Sequence, residues 1–104
     1  MSNQILTVVA KVEAKTNHLE ALRKGLIGLI APTLAENGCI NYDLHQDHKN
    51  ENTFLFYENW ESRSHWEDHN VSVHIKAFQQ ATEGMIEKVE IFEMHKIEDR
   101  KSVV

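Results

Sequence analysis

Residues 54–74, FLFYENWESRSHWEDHNVSVH, change character within twenty-one positions. The first seven alternate as a strand does: Phe54, Phe56, Glu58 and Trp60 share one side of an extended chain, and Leu55, Tyr57 and Asn59 share the other, because successive side chains point to opposite faces. From Ser62 onward the segment is polar and rich in His. Ser62 or Ser64 can cap a short helix, with Ser64 and Glu67 at the spacing of a capping box. Ser72 can start another, whose Ile75, Phe78 and Thr82 fall on one face until Gly84 stops it.

The flanking segments complete the pattern. Residues 4–13, QILTVVAKVE, place Leu6, Val8, Ala10 and Val12 on one strand face and Ile5, Thr7 and Val9 on the other. From Leu19 the period becomes helical through Leu22, Leu26, Leu29, Ile30 and Leu34, which predicts a helix of about five turns after an Asn17 cap. Pro32 lies inside it and should remove a backbone hydrogen bond, giving a bend near Gly28 or a tightened last turn. Gly38 is expected to be the C-terminal cap. Residues 39–46 and 53–61 read as strands joined by a hairpin connection over 47–52, and the last strand, about 88–97, carries Val89, Ile91, Phe92, Met94 and Ile97. Strand, helix, strand, strand, helix, strand is the order of an α+β, ferredoxin-like βαββαβ sandwich. The domain is expected over 4–97, with 98–104 a C-terminal tail.

A chain of 104 residues suits one such domain. A net charge of −5, spread along the chain, argues against nucleic acid or an anionic membrane as the main partner. No apolar run approaches the ~18 residues of a membrane span, and Met1-Ser2-Asn3-Gln4 lacks the basic-then-apolar pattern of a secretory signal, so a cytoplasmic location is expected. The single cysteine, Cys39, cannot close an intrachain disulfide and suits a packing position in a reducing compartment. The strands carry apolar residues on both faces, and helices cover only one. A second copy facing the other sheet face, a homodimer, is the expected cover.

Read with Gly38-Cys39-Ile40-Asn41-Tyr42 upstream, the pattern F-x-F-Y-E-x-W-x-S followed by His69 and His74 resembles the antibiotic-biosynthesis-monooxygenase family of small cofactorless oxygenases. The likeness is to its quinol monooxygenase branch and covers nearly the whole chain. It implies a dimeric α/β barrel, no cofactor, and a quinol or phenolic small molecule reacting with dioxygen. The substrate supplies the electrons, while the protein supplies a base, a dry cavity and dipoles for the developing anion.

His69 and His74 are the proton-transfer candidates, because imidazole titrates near neutral pH and the family places a His at each position. A helix-end His also commonly caps carbonyls or faces water. Trp60 and Trp66 are expected either to line a pocket for a planar substrate or to pack in the core or the dimer interface. Glu58, a carboxylate on an apolar strand face, must find a partner or shift its pKa upward. A structural pairing with Lys11 or Arg63 is the default and a general-base role the alternative. Tyr42 and Tyr57 can donate to a substrate oxygen, as can Asn59 from the face opposite Glu58. His65 and His69 share a helix face at i, i+4 but lack the zinc-protease arrangement, and no metal is expected.

Departures from the family pattern keep other chemistries open. Antibiotic-tailoring members carry an Asn four residues before the strand-ending Trp and a Tyr six after it; here these are Phe56 and Trp66. The haem-degrading branch's Asn, Trp and axial His align with Val8, His69 and Gln79, which disfavours haem. The branch that processes phosphorylated autoinducer is similar in its Phe-Tyr-x-Tyr-Glu segment, here with Phe56 at the middle Tyr, and in His69 and His74. That similarity leaves an isomerase as an alternative, and a non-catalytic ligand-binding barrel as another.

Overall fold

The computed structural model describes residues 4–97. Alternation in the first segment becomes β1 (Leu6–Ala14), and the helical period becomes two helices, α1 (Leu19–Gly28) and α2 (Ile30–Leu34). There follow β2 (Cys39–Gln46), β3 (Thr53–Trp60), α3 (Arg63–Asn70), α4 (Val73–Ala81) and β4 (Ile86–Met94). The sheet has the order β2-β3-β1-β4 with every pairing antiparallel. This is the ferredoxin-like α+β arrangement expected from the element order.

The parity read from the sequence holds. Val8 pairs with Glu58, Ala10 with Phe56 and Val12 with Phe54, and on the other side Val8 is level with Glu93, Ala10 with Ile91 and Val12 with Val89. These residues face the helices. There Val8, Phe54, Phe56 and Trp60 bury against Leu22, Leu26 and Leu29. Burial of each large apolar side chain contributes about 1.5–3 kcal/mol. On the outer face Tyr57, Phe92 and Met94 stay exposed, with Val9 and Leu55 half-buried beside them.

Among the local expectations, the Pro32 break and the Ser72 cap hold and others are corrected. The long helix is interrupted at Leu29, because Pro32 has no N–H to donate to the Gly28 carbonyl and its ring crowds that carbonyl; the second helix restarts with Thr33 N–H donating to Leu29 O at 3.1 Å. Asn17 is not the cap of α1. It sits at φ +73° in the preceding turn, a conformation Asn tolerates, and His18 holds the cap position without a side-chain hydrogen bond. Gly38 does not cap a helix, since α2 ends at Leu34. It stands at φ +82° before β2, where a Cβ would lie 2.2 Å from the His65 ring. The cap of α3 is Ser62, which accepts from His65 N–H, so the Ser64–Glu67 box does not form. Ser72 caps α4 as expected. β4 begins two residues early and ends at Met94, and the proposed tail over 98–104 lies outside the described residues.

Candidate functional site

Between the helices and the sheet lies a cavity of about 510 Å³. Val8, Ala10, Val12, Phe56, Ile75, Phe78 and Ile86 give it apolar walls, and Tyr42, Glu58, Trp66 and His69 bring polar or aromatic groups into it. Val89 and Ile91 line the same cavity from β4 yet remain about half exposed, so the cavity opens on that edge. No Lys or Arg lines it among the described residues.

His69 occupies the last turn of α3 and is 3% exposed. The turn into α4 is fixed behind it, since the Ser72 hydroxyl and N–H both donate to His69 O, at 2.7 and 3.1 Å. Its Nδ1 is 2.8 Å from Glu36 Oε2. A carboxylate can only accept, so Nδ1 carries the proton, and in the neutral ring Nε2 holds the free lone pair. Nε2 has no hydrogen-bond partner among the described residues. The ring is held between Trp60, with centroids 4.8 Å apart, and the edge of Tyr42 at 5.4 Å. Burial pushes the His69 pKa below its ordinary value, and the Glu36 hydrogen bond and charge oppose that shift.

His74, in the first turn of α4, also reaches Glu36: its Nε2 lies 2.5 Å from the same Oε2. Glu36 therefore holds both imidazoles. It lies in the turn after α2, where its N–H donates to Thr33 O at 3.0 Å and its carbonyl accepts from Cys39 N–H at 3.3 Å. The sequence reading missed Glu36 because nothing local distinguishes a Glu in the polar turn 35–38; only the 33-residue closure onto His69 gives it a role.

Glu58 does not form the expected ion pair with Lys11 or Arg63. Those cations pair with Glu90 and Glu93, and Glu58, 3% exposed, accepts from Trp60 Nε1–H at 2.9 Å. Burial raises its pKa to about 7; the Trp60 hydrogen bond lowers it and the charge of Glu36 raises it. Tyr42, stacked on Phe56, is likewise pushed well above the ordinary phenol value by burial first and by the charge of Glu58 next. Cys39 is raised to about 11 by burial and neighbouring carboxylates, which suits an unreactive packing thiol.

The remaining candidates divide. Trp66 lines the cavity with Arg63 over its ring at 5.8 Å. Trp60 is fully buried and holds Glu58 instead of lining the cavity. Tyr57 and Asn59 lie on the opposite sheet face, in a separate hollow of about 760 Å³ with Ile5, Thr7, Ile40 and Met94. There Asn59 accepts from Thr7 and donates to Asn41. His65 and His69 do not converge, because His65 Nδ1 bonds Ser62 Oγ at 2.8 Å.

The family model described as antibiotic biosynthesis monooxygenase matches residues 5–81. The chain belongs to that family. Among solved structures of similar proteins is PA3566 from Pseudomonas aeruginosa, 33% identical with a TM-score of 0.89, covering 94% of this chain and 99% of that one. SO0527 from Shewanella oneidensis is 26% identical with a TM-score of 0.84, covering 91% and 93% of the two chains. An uncharacterized protein of a Synechocystis strain is 24% identical over 98 residues, 94% of this chain and 67% of its own length. In this member of the antibiotic biosynthesis monooxygenase family, a buried imidazole and a carboxyl group whose pKa burial raises to about 7 line one largely apolar cavity.

Proposed function

We propose that the protein is a cytoplasmic monooxygenase that uses no added cofactor and oxidises a neutral quinol or similar phenol with dioxygen, His69 acting as the base. The observation that carries this reading is the hydrogen bonding of His69: with Nδ1 committed to Glu36, Nε2 remains as the acceptor of a ring that lines the cavity. Apolar walls without Lys or Arg favour an uncharged substrate over a phosphorylated one.

In this reading Nε2 takes the phenolic proton, and Glu36 stabilises the resulting imidazolium. The phenolate passes an electron to dioxygen, the radical pair recombines to form a C–O bond, and the peroxide oxygen takes the proton back from His69. Cleavage of the O–O bond with loss of the ring C–H proton leaves a carbonyl and releases water. One quinol and one dioxygen thus give one hydroxyquinone and one water. Glu58, partly protonated near pH 7, and Tyr42 supply O–H donors to developing negative charge. Trp66 offers a flat wall to the ring.

The apolar outer sheet face supports a second part of the proposal, a homodimer paired through Val9, Leu55, Tyr57 and Phe92. The presence of Glu58 and His69 in one cavity also favours a second reading, an isomerase moving protons on a small neutral metabolite. The two readings separate in an atmosphere of ¹⁸O₂ with a panel of quinols. The oxygenase incorporates one labelled atom per product, whereas an isomerase turns over equally without oxygen. Ligand-induced stabilisation with no turnover would mark a binding module.

A further inference from the structure

Glu36, His69 and His74 reach one point from three segments: the turn after α2, the end of α3 and the start of α4. Their ligand-type atoms all lie within 4.8 Å of one another, and both imidazoles aim at the single oxygen Oε2, at 2.8 and 2.5 Å. Two imidazoles and one carboxylate are a ligand set for Zn²⁺ and its first-row neighbours. We propose that this cluster binds one divalent transition-metal ion and that the ion switches off His69 as a base.

Bonds of about 2.0–2.2 Å from an ion to nitrogen and oxygen set adjacent ligand atoms roughly 3–3.5 Å apart. The Glu36–imidazole separations of 2.8 and 2.5 Å open slightly to reach that, and the wider spread of the set, up to 4.8 Å, closes as the partly exposed His74 swings inward. Glu36 and His74 are partly exposed, which gives an ion a route from solvent and leaves room for water ligands. His74 does not line the cavity, so the ion enters beside the proposed substrate site and touches it only through His69.

The switch follows from tautomerism. An ion coordinated at His69 Nδ1 displaces the proton there, and the neutral ring carries its one proton at Nε2 instead. Nε2 then donates and no longer accepts, so it cannot take a proton from substrate. No electron is transferred; one N–H bond breaks and the other forms through solvent. The switching half rests on the proposed oxygenase reading, and the binding half does not.

The test is calorimetric titration of Zn²⁺ into the metal-stripped full chain, its Glu36→Gln and His74→Ala variants, and His48→Ala as a control for exposed surface histidines. We expect one ion per chain for the parent and for His48→Ala, and at least tenfold weaker binding for the two cluster variants. Equal binding by all four proteins, or none by the parent, overturns the site. Should a cluster variant fail to fold, imidazole ¹⁵N spectra of the parent decide. Zn²⁺ must shift His69 Nδ1 and His74 Nε2, and shifts confined to other histidines refute the assignment. Zn²⁺ is further expected to abolish oxygen uptake and a chelator to restore it. Stoichiometric binding with unchanged uptake overturns the switch, whereas a parent inactive before any metal is added refutes the oxygenase reading instead.

Discussion

His69 Nδ1 and Glu36 Oε2 meet at 2.8 Å across 33 residues of chain, and that contact fixes which imidazole nitrogen carries the proton. Glu36→Gln keeps the shape and removes the charge that stabilises an imidazolium. We expect kcat to fall on the order of 10²-fold, in the range of lost acid–base assistance. The negative charge also raises the His69 pKa against burial, so its loss moves the acidic limb of the kcat/KM profile to lower pH. A pH–rate comparison checks this, since a purely structural role would leave the limb in place.

Much of this site was legible in the alternation of residues 54–60. Parity alone puts Glu58 with Phe54, Phe56 and Trp60, and by the same rule removes Tyr57 and Asn59 from any pocket that Glu58 faces. Trp60 and Trp66 were not separable, because a Trp at a strand end and one on a helix carry equal apolar surface and only packing distinguishes core from wall. The break at Leu29 was legible through Pro32, but the role of Glu36 was not, since a turn carboxylate is recognised only by what it reaches in space. The β4 boundaries were misjudged because Ile97 extends the apolar pattern past the last paired residue, Met94.

Glu58 should leave a signature in stability. Its folded pKa of about 7 lies above the ordinary glutamate value of 4.5, so the native state holds a proton that the unfolded chain has released between those values. Stability therefore falls as pH rises through this window, by roughly 3 kcal/mol at most for a shift of this size. Glu58→Gln removes this pH dependence. Urea unfolding at pH 5 and pH 8 should show the variant gaining relative to the parent at the higher pH.

Gly38 is required by its backbone and by its neighbour. At φ +82°, with a Cβ position 2.2 Å from the His65 ring, Gly38→Ala is expected to cost about 2–4 kcal/mol from left-handed strain and the displaced ring together. Gly28, at the end of α1 with nothing within 4 Å of its Cβ position, is the contrast. There Ala is expected to stabilise by about 0.5 kcal/mol. Thermal unfolding of the two variants checks both signs.

The outer sheet face offers a test of assembly. Tyr57 and Phe92 stand on adjacent sides of Val9, and a charge there would be buried between two facing sheets. Light scattering should give the parent twice the chain mass of 12.1 kDa, and Phe92→Glu a mass near that of one chain with the helical signal retained.

The most direct measurement is the initial rate of oxygen uptake by metal-stripped protein with a neutral quinol, compared with spontaneous autoxidation and with His69→Ala. The account expects uptake well above autoxidation for the parent and a loss of about 10²–10⁴-fold in the enzymatic part for His69→Ala. A folded His69→Ala protein that consumes oxygen as fast as the parent would contradict it.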